Sequence, residues 1–151
     1  MRIVLALNAG SSSLKFGLFR VGVTECATLT LLSGSVETRA GGDGKLTARD
    51  GRGKTLAEEA TPLTKLSDAA SRVFELVRRL GCPKPEAVGH RIVHGGPDCV
   101  RHARIDDIVL GRLRAAADLA PLHVPAALSI LNAAFPAYPG LPQVACLDTD
   151  F

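Results

Sequence analysis

The sequence has few aromatic residues, and its charge is nearly balanced. Aromatic residues make up 4% of the 151 positions, and none interleaves with a loose basic cluster in the first half of the chain. That cluster consists of Arg39, Arg49, Arg52 and Lys54. Proteins that bind single-stranded nucleic acid stack bases on aromatic side chains in a basic groove. The net charge of +3 is also small, so we predict no nucleic-acid partner and interpret the cluster as solvated loop surface.

Long apolar runs and close cysteine pairs are also lacking. The longest apolar run near the start covers residues 3–9, too short for a signal peptide or a membrane-spanning helix. The cysteines are spaced irregularly, with no C-x-x-C pair, at Cys26, Cys82, Cys99 and Cys146. This pattern argues against zinc knuckles and disulfide frameworks and favours reduced thiols. We therefore predict a soluble cytoplasmic protein with no membrane partner.

The remaining composition suits one folded domain, with 46% hydrophobic and 22% charged residues. Apolar patterns predict strands at residues 2–8, 14–20, 26–36, 87–94 and 143–147. Helical spacing predicts helices at residues 67–80, 106–119 and about 125–134. Strands followed by mixed helices and strands are typical of the α/β class.

Details of these elements are also predicted. Glycine and charge dominate residues 40–54, which indicates hairpins or a surface loop. Ser67 stands where the first helix needs an N-cap. In the second helix, Ile108 is expected to face inward together with Val109, Leu113 and Ala116. Pro136 is the first of three prolines expected to bound a stiff loop before the last strand.

The first candidate site is a strand-turn-strand segment at residues 8–16, with the sequence NAGSSSLKF. Gly10 permits a tight turn, and the three serines that follow crowd its tip with hydroxyl and backbone N–H donors. Such a tip binds anions, and Lys15 adds a positive charge. It is not a Walker A loop, because it lacks the G-x-x-x-x-G-K-[ST] pattern. The residues alone leave open a phosphate cradle or an ordinary hairpin turn.

The second candidate site is at residues 88–96, with the sequence VGHRIVHGG. Arg91 lies near the end of a predicted strand, and its planar guanidinium can grip a carboxylate or phosphate with two parallel hydrogen bonds. In a strand, Val93 would share the face of Arg91. A charge beside an apolar side chain suits a short-chain carboxylate. An ordinary surface ion pair is the alternative that the residues leave open.

Two histidines flank this arginine at a spacing that can bind metal on a helix. His90 and His94 are four residues apart, but the segment is predicted as a strand and lacks the glutamate of an H-E-x-x-H site. We interpret both histidines as structural or supporting residues.

Residues 8–16 resemble the opening signature of the acetokinase family. That family shares the ribonuclease H-like fold of actin, hexokinase and the sugar kinases. The resemblance implies an α/β domain whose mixed sheet opens with a phosphate-binding hairpin and is flanked by helices. It also implies that Asn8 helps to hold Mg²⁺, and that the phosphate site of ATP is formed by Ser11, Ser12, Ser13 and Lys15.

The segment GHRIVHGG at residues 89–96 is similar to the family's G-H-R-V-V-H-G-G. Ile92 stands where valine is usual. The resemblance implies that Arg91 binds the substrate carboxylate and that Val93 lines the pocket for its methyl group.

Two shorter segments extend the resemblance. Residues 120–125, APLHVP, are similar to A-P-L-H-N-P, which implies that Leu122 walls the acetate pocket. Val124 replaces the usual asparagine and removes a hydrogen-bonding side chain. Near the end, Asp148 matches an active-site aspartate that positions substrate or Mg²⁺, and Asp150 adds a charge where alanine is usual.

The resemblance implies a kinase that transfers the γ-phosphoryl group of ATP to acetate, giving acetyl phosphate and ADP, with Arg91 and Asp148 catalytic and Mg²⁺ as cofactor. Residues 1–151 would be its amino-terminal domain, inactive without a carboxy-terminal nucleotide-binding half, and the full-length protein would be a homodimer. Two alternatives stay open. One is a non-catalytic module that binds carboxylate or phosphate. The other is a propionate or butyrate kinase, towards which Val124 is the one hint.

Overall fold

The computed structural model describes residues 1–22, 27–39 and 41–150. These residues form one mixed sheet and three α-helices. The strands are Arg2–Ala9 (β1), Ser13–Val21 (β2), Thr28–Glu37 (β3), Asp43–Asp50 (β4), Thr55–Pro62 (β5), Ala87–Ile92 (β6), Ala103–Arg104 (β7) and Gln143–Leu147 (β8). The helices are Leu66–Arg79 (α1), Asp107–Ala115 (α2) and Val124–Ala137 (α3), with short 3-10 helices at Ala116–Asp118 and Asp148–Asp150. None of the helices in this part of the chain is long and apolar enough to cross a membrane.

The sheet joins an antiparallel half to a parallel one. Its strand order is β5-β4-β3-β2-β1-β6-β8-β7. Strands β1 to β5 pair antiparallel in sequence order, whereas β6 pairs parallel with both β1 and β8. The predicted α/β class with a strand-turn-strand opening is therefore confirmed. Because β1, β6 and β8 run in one direction, their carboxyl ends meet at the same edge of the sheet.

The two faces of the sheet differ in character. Leu5 and Leu7 of β1 alternate with less buried neighbours and share a core with Leu14 of β2 and with α1 and α3. Burial of each leucine contributes about 1.5–3 kcal/mol to folding. Asn8 and Lys15 are register partners, and alternation places both on the opposite face.

Several predicted boundaries are wrong. The hairpins predicted within residues 40–54 are present, since β4 lies there between β3 and β5, but β5 itself was not predicted. Helix α1 begins at Leu66 after an extended Lys65, with no side-chain cap. Ser67 therefore lies in the first turn and is not the N-cap. Leu66 packs against the core, which explains the early start of the helix.

The second half also departs from prediction. The strand predicted at residues 87–94 ends at Ile92. Helix α2 ends at Ala115, and Ile108 is 66% exposed rather than inward. Pro136 lies in the last turn of α3 rather than in the following loop, and because proline has no N–H, that turn lacks one backbone hydrogen bond. Part of the third predicted strand, at Cys26, lies outside the described residues.

Candidate functional site

Three predicted site residues lie where parallel strands end. Asn8 is the penultimate residue of β1, Arg91 is the penultimate residue of β6, and Asp148 directly follows β8. In open α/β sheets, ligands bind beyond the carboxyl ends of the strands. The topology therefore brings together side chains that are far apart in the sequence.

Arg91 is hydrogen-bonded to both of the other side chains. Arg91 Nε donates to Asp148 Oδ1 at 2.9 Å, and Arg91 Nη2 donates to Asp148 Oδ2 at 2.7 Å. Arg91 Nη1 donates to Asn8 Oδ1 at 3.3 Å. The hydrogen bonds and the charge of Asp148 raise the pKa of Arg91 above its ordinary value. We call Asn8, Arg91 and Asp148 the arginine cluster.

The guanidinium keeps an open edge towards solvent. Asp148 occupies the edge formed by Nε and Nη2, and Asn8 accepts one N–H of Nη1, so one N–H on each terminal nitrogen is still available. The Arg91 side chain is 50% exposed, and among the described residues no further acceptor is bonded to it. Two parallel N–H groups match the two oxygens of a carboxylate or phosphate. Arg91 is therefore positioned to bind an anion.

The serines form a tight hairpin tip between β1 and β2. Gly10 N donates to the Ser13 carbonyl at 2.7 Å. The Ser12 carbonyl accepts from Thr38 N at 2.8 Å and from Thr38 Oγ1 at 3.1 Å. A Cβ at Gly10 would lie 2.9 Å from Ser13 Oγ. The tip is therefore pinned through its backbone, while Ser11 and Ser12 are exposed.

The hairpin tip and the arginine cluster are adjacent but unconnected. Exposed Lys15 is the register partner of Asn8 across β1 and β2. Within the described ranges, no hydrogen bond joins Lys15 or the tip serines to Arg91 or Asp148.

The two predicted pocket residues do not pack in the core. Val93 is half-buried and follows the end of β6, so the alternation that would align it with Arg91 stops one residue short. Leu122 is 73% exposed in the turn before α3. Neither belongs to the core clusters found in the described part of the chain. Val124 is 1% exposed at the start of α3, so an apolar side chain fits where asparagine is usual.

The two histidines have structural partners. Buried His90 is bonded through Nε2 to Gln143 Oε1 at 2.7 Å, and burial lowers its pKa more than this hydrogen bond raises it. Gln143 Nε2 is buried with no partner in the described part of the chain. His94 Nδ1 accepts from Gly96 N at 2.9 Å.

The described residues do not form a magnesium site by themselves. Asn8 offers a single neutral oxygen, and both oxygens of Asp148 accept from positively charged Arg91. No group of three or more His, Cys, Asp or Glu side chains suited to a metal is found in residues 1–22, 27–39 and 41–150. Mg²⁺ prefers carboxylates together with substrate phosphates.

One contact beside the cluster was missed by sequence reasoning. His102 N donates to Asp150 Oδ2 at 2.7 Å, and Leu147 N donates to His102 Nδ1 at 3.1 Å. Asp150 was noted only as an added charge. His102 carries no motif, and its position depends on the pairing of β7 with β8.

A groove also lies away from the arginine cluster. A groove of about 900 Å³ runs between the carboxyl ends of α1 and α3 and includes Phe74, Arg78, Lys84 and Tyr138. None of the predicted site residues lines it. We assign the site to the arginine cluster, because Arg91 has unoccupied N–H groups there and is half exposed.

Comparisons with known proteins identify relatives of the whole chain. Residues 3–151 match the acetokinase family. An acetate kinase from Nitrobacter hamburgensis is 39% identical over 154 residues, covering 100% of this chain and 38% of the relative. An acetate kinase from Deinococcus deserti is 42% identical over 154 residues, covering 99% of this chain and 36% of the relative.

Solved structures share the fold. A propionate kinase from Francisella tularensis superposes with a TM-score of 0.83 at 29% identity, covering 98% of this chain and 37% of that one. An acetate kinase from Porphyromonas gingivalis gives a TM-score of 0.82 at 31% identity, covering 100% and 38%. The chain thus spans less than two fifths of the length of these relatives.

Proposed function

The chain belongs to the acetokinase family, and from that premise we propose that it is the carboxylate-binding part of an acetate kinase. The complete enzyme transfers the γ-phosphoryl group of ATP to acetate and gives acetyl phosphate and ADP, reversibly. The observation that carries this proposal is Arg91, which Asp148 and Asn8 orient while its outer edge stays open.

The rest of the catalytic machinery is expected outside residues 1–151. We infer that these residues are the amino-terminal domain of a longer protein, because the curated relatives are more than twice as long. Phosphoryl transfer depends on positioning and on cations around the transferring group. The nucleotide-binding half would supply part of both, so the isolated chain is expected to be inactive.

Arg91 holds the substrate in this proposal. Its two open N–H groups grip the carboxylate and leave an oxygen lone pair to attack the γ-phosphorus. A carboxylic acid is ionised at neutral pH, so the nucleophile needs no general base. Asp148 then acts by orienting Arg91 rather than by moving a proton.

The hairpin tip faces the phosphates in this proposal. Hydroxyl and backbone N–H groups of Ser11, Ser12 and Ser13 donate to phosphate oxygens. Lys15 offsets negative charge that gathers near Asn8 during transfer. Mg²⁺ would arrive with ATP and be held mainly by phosphate oxygens, with Asn8 nearby.

Val93 and Leu122 would select the acid by size. Exposed Leu122 suits a pocket wall that the bound acid and the rest of the protein complete. A propionate kinase shares the fold, so propionate and butyrate are the alternative substrates. A non-catalytic carboxylate-binding module is the alternative of another class. The cytoplasmic location and the homodimer stay predictions.

A hydroxamate assay of the full-length gene product tests the proposal. ATP and Mg²⁺ are supplied with acetate, propionate or butyrate, and acyl phosphate is trapped. We expect the highest kcat/KM with acetate and no turnover by residues 1–151 alone. A preference for a longer acid would correct the substrate. A folded full-length protein with no turnover on any acid would overturn the kinase proposal.

A further inference from the structure

The segment that carries Asp148 is held on both sides by one residue. Leu147, immediately before Asp148, donates its backbone N–H to His102 Nδ1 at 3.1 Å. Asp150, two residues after Asp148, accepts the backbone N–H of His102 through Oδ2 at 2.7 Å. His102 itself directly precedes β7, which pairs antiparallel with β8. His102, at the sheet edge, is therefore bonded to the chain on both sides of Asp148. We call these two hydrogen bonds the bracket.

This bracket is important because the helix that carries Asp148 is short. Asp148–Asp150 is a 3-10 helix of one turn, and such turns have poorer hydrogen-bond geometry than α-helices. Asp148 nevertheless makes a bidentate contact with Arg91, and both of its distances depend on where its backbone stands. The added bonds from His102 restrict that backbone.

His102 contributes one acceptor and one donor to these contacts. Its ring accepts the Leu147 N–H through Nδ1, and its backbone N–H donates to Asp150 Oδ2. Asp150 Oδ2 also lies 3.3 Å from Nδ1, so the carboxylate stands beside both the ring and the backbone of His102.

We propose that His102 and Asp150 are positioning residues, which fix Asp148 and thereby aim the open edge of Arg91 at the carboxylate. The inference deepens the proposed function and rests on it for its meaning. Neither side chain touches substrate; both act through the backbone around Asp148. Loss of the bracket is expected to loosen Arg91 while leaving the hairpin tip unchanged.

Two pairs of variants of the full-length protein test this inference. His102→Leu removes the ring acceptor, whereas His102→Asn keeps an acceptor oxygen near the position of Nδ1. Asp150→Ala removes the carboxylate, whereas Asp150→Asn keeps an oxygen for the His102 N–H. The first readout is the Arg91 Nε–H signal in ¹⁵N-arginine NMR, assigned by its loss in Arg91→Lys. The second readout is the KM for acetate compared with the KM for ATP.

We expect His102→Leu and Asp150→Ala to shift or broaden the Arg91 signal and to raise the acetate KM about tenfold, with the ATP KM unchanged. The asparagine variants should return both readouts to within about twofold of the parent. An unaltered Arg91 signal and acetate KM in the removal variants would overturn the inference. So would an equal rise in the KM for ATP.

The NMR and kinetic readouts distinguish a failure of this inference from a failure of the proposed function. Should His102→Leu not fold, the exposed Asp150 pair decides the question. If the parent protein phosphorylates no acid, the proposed function fails. The NMR signal then still reports whether the bracket holds Arg91.

Discussion

His90 and Arg91 are consecutive residues of β6, yet they lie in opposite environments. His90 is 2% exposed and bonded to Gln143, and burial lowers its pKa. Arg91 is half exposed and bonded to Asp148, whose hydrogen bonds and charge raise its pKa. Because side chains alternate along a strand, His90 lies on the face that the helices cover and Arg91 lies on the open face.

These two consecutive residues therefore have different roles: His90 contributes to stability, and Arg91 contributes to the proposed substrate binding. A polar group in the core must be hydrogen-bonded and uncharged, because burial penalises unpaired or charged groups. A charged group on the open face keeps its charge and remains available to a ligand. Changes at His90 should therefore alter unfolding, and changes at Arg91 should alter turnover.

The largest expected effect follows from Arg91→Ala in the full-length protein. It removes the proposed carboxylate grip, so kcat/KM for acetate should fall at least about a hundredfold in the hydroxamate assay. The free energy of unfolding should change by less than about 1 kcal/mol, because the ion pair is half exposed. Arg52→Ala, in an exposed turn, is the control and should leave both unchanged. Full turnover by Arg91→Ala would refute the assignment.

His90→Leu should show the opposite pattern. It removes the His90 partner of the buried Gln143 amide. The free energy of unfolding should therefore fall by about 2 kcal/mol in denaturant titrations. Acetate turnover of the folded protein should change little. The double variant His90→Leu/Gln143→Leu should recover most of the loss, because both polar groups are then gone. A single variant as stable as the parent would mean that the buried pair contributes nothing.

Asp148→Asn tests the contact that orients Arg91 on the open face. It removes the charge and one of the two acceptors for Arg91, so the acetate KM should rise about tenfold while the ATP KM stays constant. Steady-state kinetics with each substrate varied measure both constants. Asp98→Asn, at another exposed carboxylate, should alter neither. Equal changes in both KM values would argue that Asp148 serves the nucleotide instead.

The pH dependence of unfolding tests the buried side. The unfolded chain binds a proton at His90 near a pH of about 6.5, whereas the folded pKa is lower. The stability that neutral His90 contributes is thus complete above that pH and is lost as the pH falls below it. Unfolding at pH values of about 7.5 and 5.5 should show this loss. His90→Leu/Gln143→Leu should show less of it, and identical slopes would contradict the account.

The smallest effect is expected at the hairpin tip. In Gly10→Ala, the new methyl group meets the Ser13 hydroxyl, which can rotate away. We expect the ATP KM to rise about threefold, the equivalent of one weakened hydrogen bond, with the acetate KM unchanged. Gly111→Ala, on α2 with open space around it, should alter neither KM. A rise in the acetate KM alone would place the tip near the acid instead.

The sequence predicted the fold class, β1 from its short apolar run and β2 from its alternation. It did not predict β5, whose sequence TLAEEATP carries adjacent glutamates and ends in proline. The start of α1 was misplaced because packing of Leu66 outweighed the capping preference of Ser67.

The site residues were named from motifs, but their contacts were not. Arg91 and Asp148 are 57 positions apart, and no local pattern links them. Their pairing depends on β6 lying beside β8. The bracket formed by His102 is likewise a result of strand pairing, so it had no signal in the sequence.

An acetate titration of the full-length protein, labelled with ¹⁵N-arginine, shows whether Arg91 binds the substrate carboxylate. We expect a saturable shift of the Arg91 side-chain signals that reaches its midpoint at the acetate concentration that half-saturates turnover. The Nε–H signal should remain protected, because Asp148 keeps its contact. Saturation of turnover with no change at Arg91, or with changes at another arginine, would contradict the account.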